Sequence, residues 1–94
     1  MLYLIAYDIS DDKLRTQLGK RLEDEEGRRI NFSIFECYLS KARLRKLGEW
    51  ILPKLDEKTD QLAIYPICKS CYEKTLYWPD IEEGEKGNST VVIR

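Results

Sequence analysis

An acidic side chain ends the most apolar stretch of the sequence. Residues 1–8 read MLYLIAYD, and Asp8 follows apolar side chains at both odd and even positions. Such a run is typical of a central β-strand that is covered on both faces. Asp8 shares its parity with Leu4 and Ala6, so it extends a buried face to the rim of the sheet. A carboxylate there is costly unless it meets a cation or hydrogen-bond donors.

Two kinds of chemistry fit Asp8. The first is structural, because aspartate often caps the turn or helix that follows a strand, and the spacing alone favours this role. The second is metal binding: Mg²⁺ takes one or two carboxylates and completes its shell with water or phosphate oxygens. A two-fold axis that paired two copies of Asp8 would therefore make a site. Asp11 and Asp12 could supplement it, although acids in the first turn of a helix are routine.

The chain contains no histidine, which excludes Ser-His and Cys-His dyads and an imidazole base. Cys68 and Cys71 have the CxxC spacing, but zinc needs about four ligands and only Cys37 remains. A redox motif would lie at a helix start after a strand, whereas a short turn between strands is predicted here. Two thiols without function are the favoured interpretation, and a shared zinc or a local disulfide is the alternative.

Basic residues cluster although the net charge is only −1, which gives no overall attraction to nucleic acid. Cations at the start of a helix oppose its dipole. The cluster at the start of the second helix, Lys41, Arg43, Arg45 and Lys46, therefore favours a phosphate-contacting surface over a solvated helix face. The candidate nucleic-acid-binding residues are Arg15, Arg28, Arg29, Lys41, Arg43 and Arg45. Several aromatic residues could stack bases, but in strands of a small domain they are more often core or interface; they are Tyr3, Tyr7, Phe32, Phe35, Tyr65, Tyr77 and Trp78.

The elements that position these residues follow from hydrophobic periodicity. We predict a strand over 1–8, a helix capped by Ser10 and closed by Gly27, and a β segment over Arg29–Leu39 that bends or splits near residues 31–33. A helix capped by Ser40 follows, with a doubtful last turn at Pro53. The remaining predictions are a strand over Gln61–Cys68 with an edge or bulge at Pro66, a turn over Lys69–Glu73, a short strand over Lys74–Trp78, a loop over Pro79–Asn88 and a strand over Ser89–Arg94.

These elements predict a single α+β domain over residues 1–94: a two-layer sandwich with a mostly antiparallel sheet and both helices on one face. The second face carries large apolar side chains and needs a cover, most simply a second copy of the chain. We therefore expect a homodimer, with residues 79–94 at its interface. No apolar run is long enough to span a membrane, no secretion signal is evident, and the odd number of cysteines fits a reducing cytoplasm.

The sequence resembles the CRISPR-associated Cas-two family. The resemblance rests on the opening strand that ends in Tyr7-Asp8-Ile9, on the stretch Ser33-Ile34-Phe35-Glu36 and on the basic helix after it. It extends to the segment QLAIYPIC, which ends at Cys68. It implies a ferredoxin-like fold, a homodimer and a divalent-metal-dependent endonuclease activity on RNA or DNA.

The same resemblance implies roles for individual residues. Asp8 becomes the catalytic residue and the ligand of Mg²⁺ (or Mn²⁺), one from each chain across the two-fold axis. Ser33 and Phe35 would support this site from the neighbouring strand. The family also implies an alternative function: a non-catalytic dimeric adaptor that bridges the Cas-one integrase and duplex DNA during spacer acquisition. Single-stranded RNA and double-stranded DNA are both possible partners.

Overall fold

A computed structural model describes residues 1–79 of the chain, and they form one antiparallel sheet with helices. The elements are β1 Leu2–Asp8, α1 Asp12–Asp24, β2 Arg28–Asn31, β3 Ile34–Tyr38, α2 Lys41–Ile51, β4 Gln61–Ile67 and α3 Lys69–Glu73. The strand order is β2-β3-β1-β4, with antiparallel neighbours throughout. A βαββαβ chain with this order has the ferredoxin-like fold, so the predicted fold class is confirmed. Within the described residues no helix is long and apolar enough to cross a membrane.

Both long helices pack on one face of the sheet, because their apolar side chains share a core with the odd-numbered residues of β1. Ile5 and Phe35, which face each other across β1 and β3, are completely buried. Burial of a side chain of this size contributes about 1.5–3 kcal/mol, so the central strands are firmly held. The core side chains are those of Tyr3, Ile5, Tyr7, Ile9, Leu14, Leu18, Leu22, Phe35, Cys37, Leu39, Leu47 and Ile51.

The opposite face of the sheet is covered only in part within the described residues. Tyr38 and Tyr65 lie on it and are 67% and 54% exposed. After β4 the chain returns across this face to the far edge, where Tyr77 is buried against Arg28 and Glu36. The cover that we assigned to a second copy is therefore supplied in part by the chain itself.

Several predicted boundaries are confirmed, and two helix ends differ. The segment after α1 splits at Phe32 and Ser33 as predicted, Ser40 caps α2, and Pro66 lies on an edge strand. The prediction that Ser10 caps α1 is wrong: the N-cap is Asp11, which makes no side-chain cap hydrogen bond. At the other end α1 stops at Asp24.

The C-terminus of α1 closes with a Schellman motif in which Glu26, not glycine, takes the left-handed conformation (φ 63°). The amide of Gly27 donates to the carbonyl oxygen of Leu22 at 2.8 Å, and the amide of Glu26 donates to that of Glu23 at 2.9 Å. These hydrogen bonds satisfy carbonyl groups that the helix end would otherwise leave unpaired.

The segment after β4 differs from the prediction. Residues 69–73 form the short helix α3 rather than a turn between strands, and Lys74–Trp78 form no strand. The thiol of Cys68 takes the N-cap role and accepts a hydrogen bond from the amide of Cys71 at 3.4 Å. The predicted strand over Ser89–Arg94 and most of the predicted loop before it lie outside the described residues.

Candidate functional site

Asp8 ends the central strand β1 at the rim of the sheet, as predicted, but its side chain is exposed. The desolvation cost that we expected for this carboxylate is therefore absent from the single chain. Its pairing partner on the neighbouring strand β4 is Gln61, which is also exposed. Within residues 1–79 the Asp8 carboxylate makes no ion pair. It is thus an anionic group held on a rigid strand and open to an external partner.

The turn after Asp8 is fixed by an aspartate that sequence analysis did not single out. One carboxylate oxygen of Asp60 accepts hydrogen bonds from both the amide and the hydroxyl of Ser10, each at 3.1 Å. Its other oxygen accepts from the amide of Asp56 at 2.9 Å. These hydrogen bonds, that from Asp56 foremost, lower the pKa of Asp60. The capping role considered for Asp8 is thus filled by another residue.

A groove beside Asp8 runs between α1 and the turn that joins β2 to β3. Arg15, Lys20 and Ser33 line it together with Asp8. Arg15 donates to the carbonyl of Ile9 at 3.0 Å and pairs with Asp12. These contacts hold its guanidinium at the groove, and its side chain remains 43% exposed. Three of the predicted site residues, Ser33, Arg15 and Arg29, therefore line the groove with Asp8.

Ser33 reaches this position through the backbone of β1. Its carbonyl oxygen accepts a hydrogen bond from the amide of Tyr7 at 3.0 Å, so the start of β3 is tied to the end of β1. Ser33 is thereby held one residue away from Asp8 along the paired strands. This contact explains why a serine far along the sequence lines the same groove.

Arg29 lines the groove, and Phe35 lies buried beneath it. Phe35 is fully buried, and its ring stacks on that of Tyr7 with centroids 6.4 Å apart. The Arg29 guanidinium lies 4.6 Å from the Phe35 ring centroid and 3.5 Å from Glu23. Burial raises the pKa of Tyr7, although the charge of Arg29 opposes the shift. Support of the site by Phe35 is therefore indirect, through packing against the strand that carries Asp8.

Arg28 lies on the other face of the sheet, since adjacent strand residues alternate. Its guanidinium donates to Glu36 at 2.9 Å and contacts the Tyr77 hydroxyl at 3.3 Å. Tyr77 itself donates to the other Glu36 oxygen at 2.5 Å. Burial, followed by the hydrogen bond to Glu36, raises the pKa of Tyr77. The structure thus gives Arg28 intramolecular partners that hold the returning chain to the sheet.

The remaining predicted basic residues are far from Asp8. Lys41, Arg43 and Arg45 are exposed on α2, which begins near the Leu2 end of the sheet because Tyr38 pairs with Leu2. Asp8 lies at the opposite end of the same strand, about 20 Å away at the usual rise per residue. Arg43 also pairs with Glu25 at 2.8 Å. The basic start of α2 and the groove are therefore separate surfaces.

A metal ion would find few ligands in one chain. No group of three or more His, Cys, Asp or Glu side chains in residues 1–79 is arranged to hold one. Asp8 offers one exposed carboxylate of the hard-oxygen type that Mg²⁺ and Mn²⁺ prefer, and such ions accept one or two carboxylates with water in the remaining positions. The donor set fits a divalent cation if a second carboxylate comes from another chain.

Comparison with known proteins gives consistent matches. The family model described as CRISPR associated protein Cas2 matches residues 1–75. A Synechocystis protein named CRISPR-associated endoribonuclease Cas2 is 39% identical over 91 residues, which are 97% of this chain and 98% of that protein. A Rhodospirillum rubrum protein of the same name is 41% identical over 69 residues, which are 73% of this chain but only 55% of that protein.

A solved structure agrees. The crystal structure of Streptococcus pyogenes Cas2 superposes with a TM-score of 0.72 at 26% sequence identity, covering 82% of this chain and 98% of that one. The similarity thus includes both the sequence and the arrangement of strands that places Asp8 at the rim.

Proposed function

Since the chain belongs to the CRISPR-associated protein Cas2 family, we propose that it is a divalent-metal-dependent endonuclease of CRISPR antiviral defence and spacer acquisition. Its reaction is the hydrolysis of phosphodiester bonds in RNA or DNA. Relatives in Synechocystis and Rhodospirillum rubrum bear the name endoribonuclease. The observation that supports the proposal most strongly is the exposed Asp8 carboxylate at the end of a buried strand, beside a groove that carries Arg15 and Lys20.

The proposed active unit is a homodimer. The sheet face opposite the helices exposes Tyr38 and Tyr65. Asp8 shares the parity of Leu4 and Ala6 and lies at the rim, so it borders this face, beside Tyr65, as well as the groove next to α1. A second copy that packs there would cover these rings and bring a second Asp8 toward the first. Each Å² of apolar surface buried between the two copies would contribute about 25 cal/mol to the free energy of association. The lost freedom of the two chains offsets part of this gain.

The residues of the groove would have separate roles in catalysis. The two Asp8 carboxylates would hold Mg²⁺ or Mn²⁺, which when bound neutralises phosphate charge and lowers the pKa of a coordinated water. Arg15 and Lys20 would contact phosphate groups on either side of the scissile bond. Ser33 would donate a hydrogen bond to a phosphate oxygen. This division needs no histidine, in keeping with the composition.

Substitution of Asp8 tests the enzymatic function. Asp8→Asn removes the charge with almost no change in size, so Mg²⁺-dependent cleavage of single-stranded RNA and duplex DNA should fall to background while dimerisation persists. Asp11→Asn is the matched control, because Asp11 is an exposed acid three residues away whose side chain makes no cap hydrogen bond. Cleavage by Asp8→Asn at the wild-type rate would contradict the proposal.

A second function is favoured by the separation of the two surfaces. Lys41 and Arg45 lie at the end of the sheet opposite Asp8 and cannot serve the same groove. Under the adaptor function this basic start of α2 would track duplex DNA, while the dimer bridges copies of the Cas-one integrase. Charge reversal, Lys41→Glu with Arg45→Glu, should weaken duplex binding and reduce the salt slope by about 1 for each phosphate that the protein no longer neutralises. Unchanged duplex affinity would contradict this role.

A further inference from the structure

Phe32 is the most exposed large apolar side chain in the described residues. It lies in the turn between β2 and β3 with 87% of its surface exposed. The aromatic pattern of this segment favours a core or interface position, which the structure does not give it in the single chain. An exposed ring forgoes the roughly 2 kcal/mol that its burial would contribute.

The backbone that carries this ring is held on both sides. The amide of Phe32 donates to the side-chain oxygen of Asn31, and Arg29 donates to the carbonyl oxygen of Phe32, each at 2.5 Å. Arg29 is itself anchored by the Phe35 ring and by Glu23. The turn is thus fixed to the core while its aromatic side chain projects outward, a preorganised arrangement for binding.

The ring stands at the groove that contains Asp8. Phe32 lines this groove together with the cations Arg15, Lys20 and Arg29 and the acids Asp8 and Glu23. Glu23 is paired with Arg29, whereas Lys20 makes no ion pair within residues 1–79. The groove therefore combines an aromatic face with cations that have capacity for an anion.

An aromatic ring beside cations matches one ligand chemistry: a nucleobase joined to phosphate. We propose that Phe32 is a base-stacking, specificity-determining residue, on which an unpaired nucleobase stacks while the adjoining phosphates lie along Lys20 and Arg15. A paired base has both faces covered by its neighbours, so the ring selects single-stranded or frayed nucleic acid at this groove. The inference rests on the proposed function for its location beside the scissile phosphate.

Binding in EDTA tests this role apart from catalysis. Phe32→Ala should weaken binding of a short single-stranded oligonucleotide by roughly 10-fold or more, the usual loss when one stacked base loses its aromatic partner. Binding of a blunt duplex should stay unchanged. Phe32→Tyr should restore single-strand binding, whereas Phe32→Leu, apolar but not aromatic, should not. Leu52→Ala is the control, since Leu52 is 61% exposed and does not line the groove.

The outcomes separate stacking from other roles of the ring. Wild-type single-strand affinity in Phe32→Ala, or full rescue by Phe32→Leu, would overturn the stacking role. A shift of the dimer dissociation constant in Phe32→Ala, with unchanged oligonucleotide binding at saturating protein, would assign the ring to the interface and also overturn it. The binding measurement contains no metal and no cleavage step, so it tests base stacking by Phe32 independently of catalysis by Asp8. Stacking can be confirmed even if Asp8→Asn remains active, and it can be refuted even if Asp8 is essential for cleavage.

Discussion

Gly27 occupies a place where a single methyl group should be strongly destabilising. A Cβ at this position would lie 2.4 Å from the Cys37 sulfur, 2.7 Å from the Leu22 carbonyl oxygen and 3.3 Å from the Phe35 ring. Ordinary carbon contacts are about 3.5–4.0 Å. Cys37 and Phe35 are buried, and Leu22 is fixed because its oxygen accepts the Gly27 amide hydrogen bond. None of the three neighbours has room to withdraw.

Overpacking of a tight core costs about 1–3 kcal/mol, and the fixed backbone oxygen places Gly27→Ala at the upper end, about 3 kcal/mol. For a domain of this size that corresponds to a fall in Tm of roughly 15 °C. Urea and thermal unfolding at one fixed protein concentration measure both quantities.

Gly48→Ala is the matched control for Gly27→Ala. Its Cβ would meet only Leu52, at 3.9 Å, and alanine gains about 0.8–1 kcal/mol over glycine within a helix. We therefore expect it to be neutral or stabilising. Combining Gly27→Ala with Cys37→Ala should recover part of the loss, relative to Cys37→Ala alone, because the sulfur clash disappears and the carbonyl clash remains. Stability of Gly27→Ala within about 0.5 kcal/mol of wild type would refute the packing described for this helix end.

Two further predictions concern a strained residue and a reactive thiol. Glu26→Gly should raise the free energy of unfolding by about 0.5–1 kcal/mol, since the left-handed conformation costs an L-residue about 1–2 kcal/mol and the greater entropy of glycine in the unfolded chain offsets part of this. Asp24→Gly, a control inside the last helical turn, should lower the free energy of unfolding. A Glu26→Gly variant less stable than wild type would contradict the Schellman motif. Hydrogen bonds from Ser70 and from the Cys71 amide lower the pKa of Cys68 to about 7, so alkylation of this thiol followed by mass spectrometry should reach half its maximal rate near pH 7. Cys71, whose pKa is raised by its hydrogen bond to Cys68, should need higher pH, and a Cys68 rate that keeps rising to pH 9 would contradict this order.

Most of the fold could be predicted from the sequence because hydrophobic periodicity and turn residues act over a few neighbouring positions. The leucines of α1 repeat with helical spacing, β1 is apolar at both parities, and the polar residues near 31–33 divide β2 from β3. The end of the apolar run predicts Asp8 at the rim of the sheet, and strand parity predicts the face on which it lies. These features depend on neighbours within a few residues, which the sequence displays directly.

Features set by distant contacts could not be predicted in the same way. Ser10 donates its amide and hydroxyl hydrogen bonds to Asp60, fifty residues later, a contact that the local pattern does not display. The sequence shows Arg28 and Arg29 as one basic pair. Because adjacent strand residues alternate between faces, Arg28 pairs with Glu36 and Arg29 lies over the Phe35 ring. Phenylalanine is a residue type that is common in strands, but Phe32 lies in a two-residue turn and is therefore exposed. The short helix α3 has too few residues to display a hydrophobic period.

Titration of the protein with Mn²⁺, followed by electron paramagnetic resonance, tests most directly whether two Asp8 carboxylates from two subunits hold one cation. We predict one tightly bound ion for each pair of chains, and loss of that ion in Asp8→Asn while sedimentation still shows a dimer. Binding of one ion per chain, or the same occupancy in Asp8→Asn, would contradict a metal site shared across the two-fold axis.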